Sequence, residues 1–425
     1  MNKGNITIKK VTARQIFDSR GNPTVEATVL LSNGITGVCA SPSGASTGMY
    51  EAYELRDNDE KNYNGKSVFN AVKNVNTVIS PELCGISADD QGRIDKCMID
   101  LDGSPDKHNL GANAVLAVSI AAARAAATSY QMPLYMYLGG MSASIMPVPM
   151  MNILNGGAHA SNNLEIQEFM IFPLGADSFG HAMKMCVEIY YALKKELLSD
   201  NMSTAVGDEG GFAPDLPSDE KALEYIVKAI GKAGYTAGKD VFINLDIAAS
   251  EWCKNGEYFL PKSGKSIDRD DLLVYYKKLC SDYPVFSIED PFSENDWESF
   301  SLITKELPGI QIVGDDLFVT NVSRLRKGIL SGAANAILIK PNQIGTLSET
   351  IDAVSEAKAN NYRVIISHRS GETEDSSIAD LAVALGAGQI KAGAPVRSER
   401  VCKYNRLLRI EEWLGQSSKY GIPTL

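Results

Sequence analysis

Six apolar runs decide the fold: VFINLD (241–246), PVFSIED (284–290), IQIVGDD (310–316), AILIK (336–340), VIISHR (364–369) and GQIKAG (388–393). Runs of four to six residues rich in Val and Ile suit strands buried on both faces. The segments between them are long enough for a helix and two turns. Strand, helix, strand in series closes most naturally into a parallel barrel. Asp246, Glu289, Asp315, Lys340, His368 and Lys391 stand at the ends of these runs. A barrel gathers its C-terminal strand ends at one mouth, so these side chains are expected to converge. Three acids suit a hard divalent cation, and two lysines beside it suit an anionic substrate.

A chain of 425 residues is too long for one ordinary core. We expect two domains, residues 1–136 and 137–425, with the boundary in the Gly-, Ser- and Pro-rich stretch YLGGMSASIMPVP (137–149). Residues 5–40 alternate apolar and polar positions around Gly-Asn-Pro and Asn-Gly turns, which predicts a strand meander. Residues 67–130 predict helices, so the first third is α+β. The ending GQSSKYGIPTL predicts a loose tail.

Hydrophobic residues make up 44% and charged residues 22%, as in soluble globular proteins. The net charge of −11 argues against nucleic acid as a partner. Seven widely spaced cysteines with no CxxC pair argue against a disulfide framework or a zinc site and suggest a reducing, cytoplasmic setting. No signal peptide is evident at the start, and AVLAVSIAAA (114–123) is too short to span a bilayer.

Each motif has a plainer explanation. Acids at strand ends also cap helices. Asp290 and Asp316 compete with their neighbours as ligands, because strand parity is open. Lys340 could reach solvent along its stem. Facing the mouth beside a cation and Lys391, it would instead have a lowered pKa and serve as a general base. Arg369 and Ser370 suit a phosphate or carboxylate, although Glu372, Glu374 or Asp375 could simply pair with the arginine. GDEGGFAP (207–214) suggests an exposed, positioned carboxyl at Glu209. NGGAHASNNLEIQEFM (155–170) places His159, Gln167 and Glu168 near a glycine-rich turn and a short strand. SGASTG (43–48) lacks the GK[ST] ending of a phosphate loop and is a lid or a linker.

Together, SRGNPTVE, PSGASTG, NGGAHA, QEFMI, GDEGGFAP, LDIAASE, SIEDPF, GDDLFVTN, LIKPNQIGTLSET, SHRSGETED and APVRSER resemble the enolase (phosphopyruvate hydratase) family, in family order over nearly the whole chain. The resemblance implies a small N-terminal α+β domain with a lid loop. It also implies an eight-stranded TIM-like barrel that begins with two strands and two helices. It implies reversible dehydration of 2-phosphoglycerate to phosphoenolpyruvate with two Mg²⁺ ions, one tight and one arriving with substrate.

By the same resemblance, Asp246, Glu289 and Asp315 hold the tighter ion and Ser46 the second. Lys340 is the base and Glu209 the acid. Arg369 and Ser370 grip phosphate, Lys391 and Gln167 contact the carboxylate, and His159, Glu168 and His368 support the site. A homodimer or octamer, and a secondary surface or secreted pool, are further implications. Ser161 and Pro341 depart from common family residues. The Lys-x-Lys pair or His-Asp dyad of related racemases and acid-sugar dehydratases is not evident. A non-catalytic descendant would be expected to lack one of these groups, and none is missing.

Overall fold

In the computed structural model, which describes residues 6–44, 48–254 and 256–423, two hydrophobic cores are packed side by side. The first belongs to the N-terminal third. Strands β1 (Ile8–Phe17), β2 (Pro23–Leu31) and β3 (Thr36–Ala40) form the expected antiparallel meander. Val25, Ala27, Val29 and Leu31 alternate along β2 and point into this core.

Helix Ala112–Ser129 lies over β2 and β3. It extends beyond the apolar run on both sides and has the length and composition to cross a bilayer, but it is packed inside the protein. Its approach is close because Gly37 lacks a side chain: a Cβ there would sit 2.1 Å from the Ala121 carbonyl oxygen.

The second core is built on a closed barrel. Its strands are β4 (Val148–Asn155), β5 (Glu168–Phe172), β6 (Phe242–Asp246), β7 (Val285–Glu289), β8 (Gln311–Gly314), β9 (Ala336–Ile339), β10 (Arg363–Ser367) and β11 (Gln389–Lys391). The six apolar runs are β6 to β11, all parallel. A wholly regular barrel does not form: β5 runs antiparallel to both β4 and β6. Helices Phe179–Ser199 and Asp219–Lys232 pack on each other between β5 and β6. Two antiparallel helices begin and end at the same side of the barrel, so they suit an antiparallel strand pair. A single helix would deliver the chain to the other side.

Val148, Met150, Met170, Phe172, Val313, Ala336, Leu338 and Ile365 pack together in a third apolar cluster, contributed by strands from around the barrel. The helices that follow β6, β7 and β8 are capped by Asp268, Asp296 and Asn321. Capping therefore does not account for Asp246, Glu289 and Asp315. The tail is not loose: Lys419–Tyr420 pairs with Ile145–Met146, and the Tyr420 hydroxyl donates to the Pro173 carbonyl at 2.9 Å. A short apolar segment with a partner strand and a satisfied hydroxyl stays in place.

Candidate active site

The mouth of the barrel holds a pocket lined by His159, Gln167, Glu168, Glu209, Asp246, Asp315, Lys340, His368, Arg369, Ser370 and Lys391, together with Asp290 and Asp316. Glu289 lies directly behind it and is fully buried. Ser46, assigned above to the second ion, lies outside the described residues.

Lys391 is the centre of charge. Its ammonium is 2.8 Å from Asp246 Oδ2, 3.0 Å from both Glu289 oxygens and 3.3 Å from Glu168 Oε1. Burial disfavours the ammonium, but Asp246, Glu168 and Glu289 outweigh it and hold the pKa well above normal. Lys391 is therefore a fixed cation. Gln167 Nε2 donates to Asp246 Oδ2 at 3.4 Å.

Lys340 turns into the mouth rather than out to solvent, and its ammonium contacts Asp315 Oδ2. The lowered pKa expected for it belongs to the site with a bound cation, where Asp315 is shared with the ion. Burial pushes the pKa down, but Asp315 overrides that and raises it. The same contact holds Asp315 below the usual carboxylate range, against the effect of its burial. Gln343 Nε2 donates to Asp315 Oδ1 at 2.9 Å. Pro341 opens the short helix Pro341–Ile344, where a missing N–H costs nothing. The Lys340 backbone N–H is held by Thr320 Oγ1 at 2.9 Å.

The remaining acids are crowded. Burial and then Asp246 push Glu289 well above the ordinary range, against Lys391. Burial and the neighbouring Asp316 and Asp315 do the same to Asp290. Asp290 accepts from the backbone N–H groups of Asp315 (3.0 Å) and Asp316 (2.8 Å), so it pins the turn. Asp290, Asp315 and Asp316 have ligand atoms within 4.8 Å of one another. Asp246 and Glu289 are instead brought together around Lys391, while Asp315 is turned to Lys340. This donor set of hard oxygens fits a divalent cation such as Mg²⁺. Glu289 stays raised even beside Lys391, and a further cation would favour its charged form.

A second group forms where β5 begins. His159 Nδ1 lies 3.6 Å from Glu168 Oε1 and 3.9 Å from Glu209 Oε1. Asn152 Nδ2 donates to Glu209 Oε2 at 3.1 Å, and His368 Nε2 is 3.5 Å from the same oxygen. Glu209 is only 2% exposed, not the exposed carboxyl expected from its loop. Gly210 packs against Ala394 and Val396, which closes the loop over it. Burial and Glu209 push Glu168 well up, so of the two neighbouring carboxyls Glu168 holds the proton.

Arg369 does not pair its side chain with Glu372 or Asp375. Its guanidinium meets Glu51 of the N-terminal third at 2.8 and 3.2 Å and Asn342 Oδ1 at 3.1 Å. Glu372 instead takes Lys403 at 2.7 Å, and Asp375 takes Arg124 at 2.7 Å. Next to Glu51, the Met49 N–H is held by Glu294 Oε2 at 3.1 Å, and the Tyr50 ring lies 3.8 Å from the Arg324 guanidinium. The segment after SGAST is thus seated on the mouth, with the Glu51 carboxylate in the arginine fork.

Asn152, Glu51, Thr320 and Gln343 were not singled out from the sequence. Glu51 alone left a signal, as an acid just beyond the small-residue loop. Two family models match the chain: "Enolase, N-terminal domain" over residues 8–138 and "Enolase, C-terminal TIM barrel domain" over residues 143–423.

Proposed function

The chain belongs to the enolase family of metal-dependent lyases, and from that premise we propose that it interconverts 2-phosphoglycerate and phosphoenolpyruvate with two Mg²⁺ ions. One observation carries the reading. Lys340 follows β9 and Glu168 begins β5, four strands apart in a ring of eight. Glu209 joins Glu168 through His159. A base and an acid therefore face each other across one cup, as needed to take a proton from one face of a substrate and release hydroxide from the other.

The residues divide the work as follows. Arg369 and Ser370 take the phosphate, displacing Glu51 from the fork. Lys391 and Gln167 orient the substrate carboxylate. Lys340, once parted from Asp315, first releases its ammonium proton to solvent and then, as the neutral amine, accepts the proton from the adjacent carbon. The proton held on Glu168 passes to its neighbour Glu209, which gives it to the departing hydroxyl, and the hydroxyl leaves as water. In the reverse direction, Glu209, oriented by the hydrogen bond from Asn152, takes a proton from the incoming water. Asp246, Glu289 and Asp315 would hold one Mg²⁺ ion, and Ser46 would contribute to a second. When bound, the ions supply the positive charge that makes a doubly anionic carboxylate intermediate accessible.

The direct test is ultraviolet absorbance of enol phosphate formed from 2-phosphoglycerate. Product that appears with Mg²⁺ and stops on chelation supports the reading; folded protein that gives no product with Mg²⁺ refutes it.

A further inference from the structure

The guanidinium of Arg400 is fully buried on helix Ser398–Leu414 and touches three parts of the mouth at once. Nη1 donates to His368 Nδ1 at 2.7 Å and to the Arg369 carbonyl at 2.7 Å. Nη2 donates to the Ser370 carbonyl at 2.5 Å and to the carbonyl of Asp208, the residue before Glu209, at 3.1 Å. We propose that Arg400 is a positioning residue that holds the single ring proton of His368 on Nε2, aimed at the carboxyl of Glu209. The catalytic part of this proposal rests on the reading of Glu209 as the acid; the tautomer assignment does not.

The argument is one of donors and acceptors. A guanidinium only donates, so a ring nitrogen at 2.7 Å from it must present a lone pair. Neutral imidazole with a lone pair on Nδ1 carries its hydrogen on Nε2. Nε2 is the atom 3.5 Å from Glu209 Oε2. A doubly protonated ring would set N–H against N–H beside a permanent cation. Burial and the Arg400 charge also oppose that form, outweighing the pull of Glu209, and the His368 pKa is pushed down to about 4.

His368 thus enters the reaction neutral, with its Nε2–H turned toward Glu209 at 3.5 Å, and not as a second acid. The guanidinium also depends on Gly393: at φ +85°, a Cβ there would lie 2.8 Å from Arg400 Cδ.

The chain has four histidines, so ¹⁵N-histidine labelling gives a readable spectrum, with His368 assigned by its loss in His368→Gln. In the full-length wild-type protein without substrate, between pH 6 and 8, His368 should show a pyridine-like Nδ1 and a pyrrole-like Nε2. A proton on Nδ1, or on both nitrogens, overturns the proposal whether or not any variant folds. In folded Arg400→Met, the Nε2–H signature should give way to a mixture of tautomers. There kcat should fall about 10- to 100-fold with little change in KM. An Arg400→Met protein that keeps a pure Nε2–H ring while losing activity shows a structural role only and also overturns it. Because the spectrum needs no turnover, absence of enolase activity would refute the proposed reaction and leave the tautomer result to be judged separately.

Discussion

Glu168, the first residue of β5, stands directly opposite Asp246, the last residue of β6, because these two strands are antiparallel. One reversed strand thereby places a strand-start acid in the ring of strand-end acids. It also joins the two halves of the mouth. Asp246 shares Lys391 with Glu289, while Glu168 shares His159 with Glu209.

Metal binding should be visible without turnover. Mg²⁺ held by the folded protein alone raises stability by about 2.7 kcal/mol when its concentration is 100 times the dissociation constant. The melting temperature should rise accordingly and return on chelation. In Glu289→Gln the rise should largely vanish. An unchanged Mg²⁺ response in this variant would remove Glu289 from the ligand set.

Asp219 links stability to pH away from the chemistry. It accepts from the N–H groups of Glu165 (3.0 Å) and Ile166 (3.3 Å), just before Gln167 and Glu168. Burial raises its pKa to about 7. A carboxyl with a raised folded-state pKa gives stability that is complete below its unfolded pKa of about 4 and is lost as pH climbs through 7. Within that window the loss approaches about 1.4 kcal/mol per pH unit. Denaturant melts of Asp219→Asn and the parent should diverge progressively between pH 4 and 7, with the parent falling. Parallel curves would contradict the assignment.

Glu51 occupies the Arg369 fork that the proposed reaction assigns to the substrate phosphate. Glu51→Gln should bind inorganic phosphate more tightly by roughly tenfold, about 1.4 kcal/mol. Titration calorimetry at fixed pH reads this directly. Equal or weaker binding would mean that the pair does not compete with the anion.

The six apolar runs made most of the barrel legible, because parallel strands buried on both faces must be apolar and their polar ends must share a mouth. The reversal of β5 was not legible in them: Glu168 precedes its run instead of following it, and only the family resemblance implied the irregular start. Glu209 misled because a glycine-rich loop is usually exposed. Its carboxyl is enclosed by Asn152, His159 and His368, all far from it along the chain. The partner of Arg369 also lies far off, at Glu51, whereas local acids suggested themselves. The pairing of Lys340 with Asp315 followed from the direction of the Asp315 side chain, which strand-end counting does not supply. The tail is held by pairing with a two-residue strand too short to announce itself.

The central claim is that Lys340 and Glu209 act separately, from opposite sides of the cup. It is tested most directly by incubating Glu209→Gln with Mg²⁺ and 2-phosphoglycerate in D₂O, following deuterium at the carbon beside the carboxylate and enol phosphate in the same sample. Deuterium should enter at that carbon while enol phosphate formation falls by about 10²–10⁴-fold, and Lys340→Ala should lose both. Loss of exchange in folded Glu209→Gln, or exchange that survives in Lys340→Ala, would contradict the assignment of base and acid.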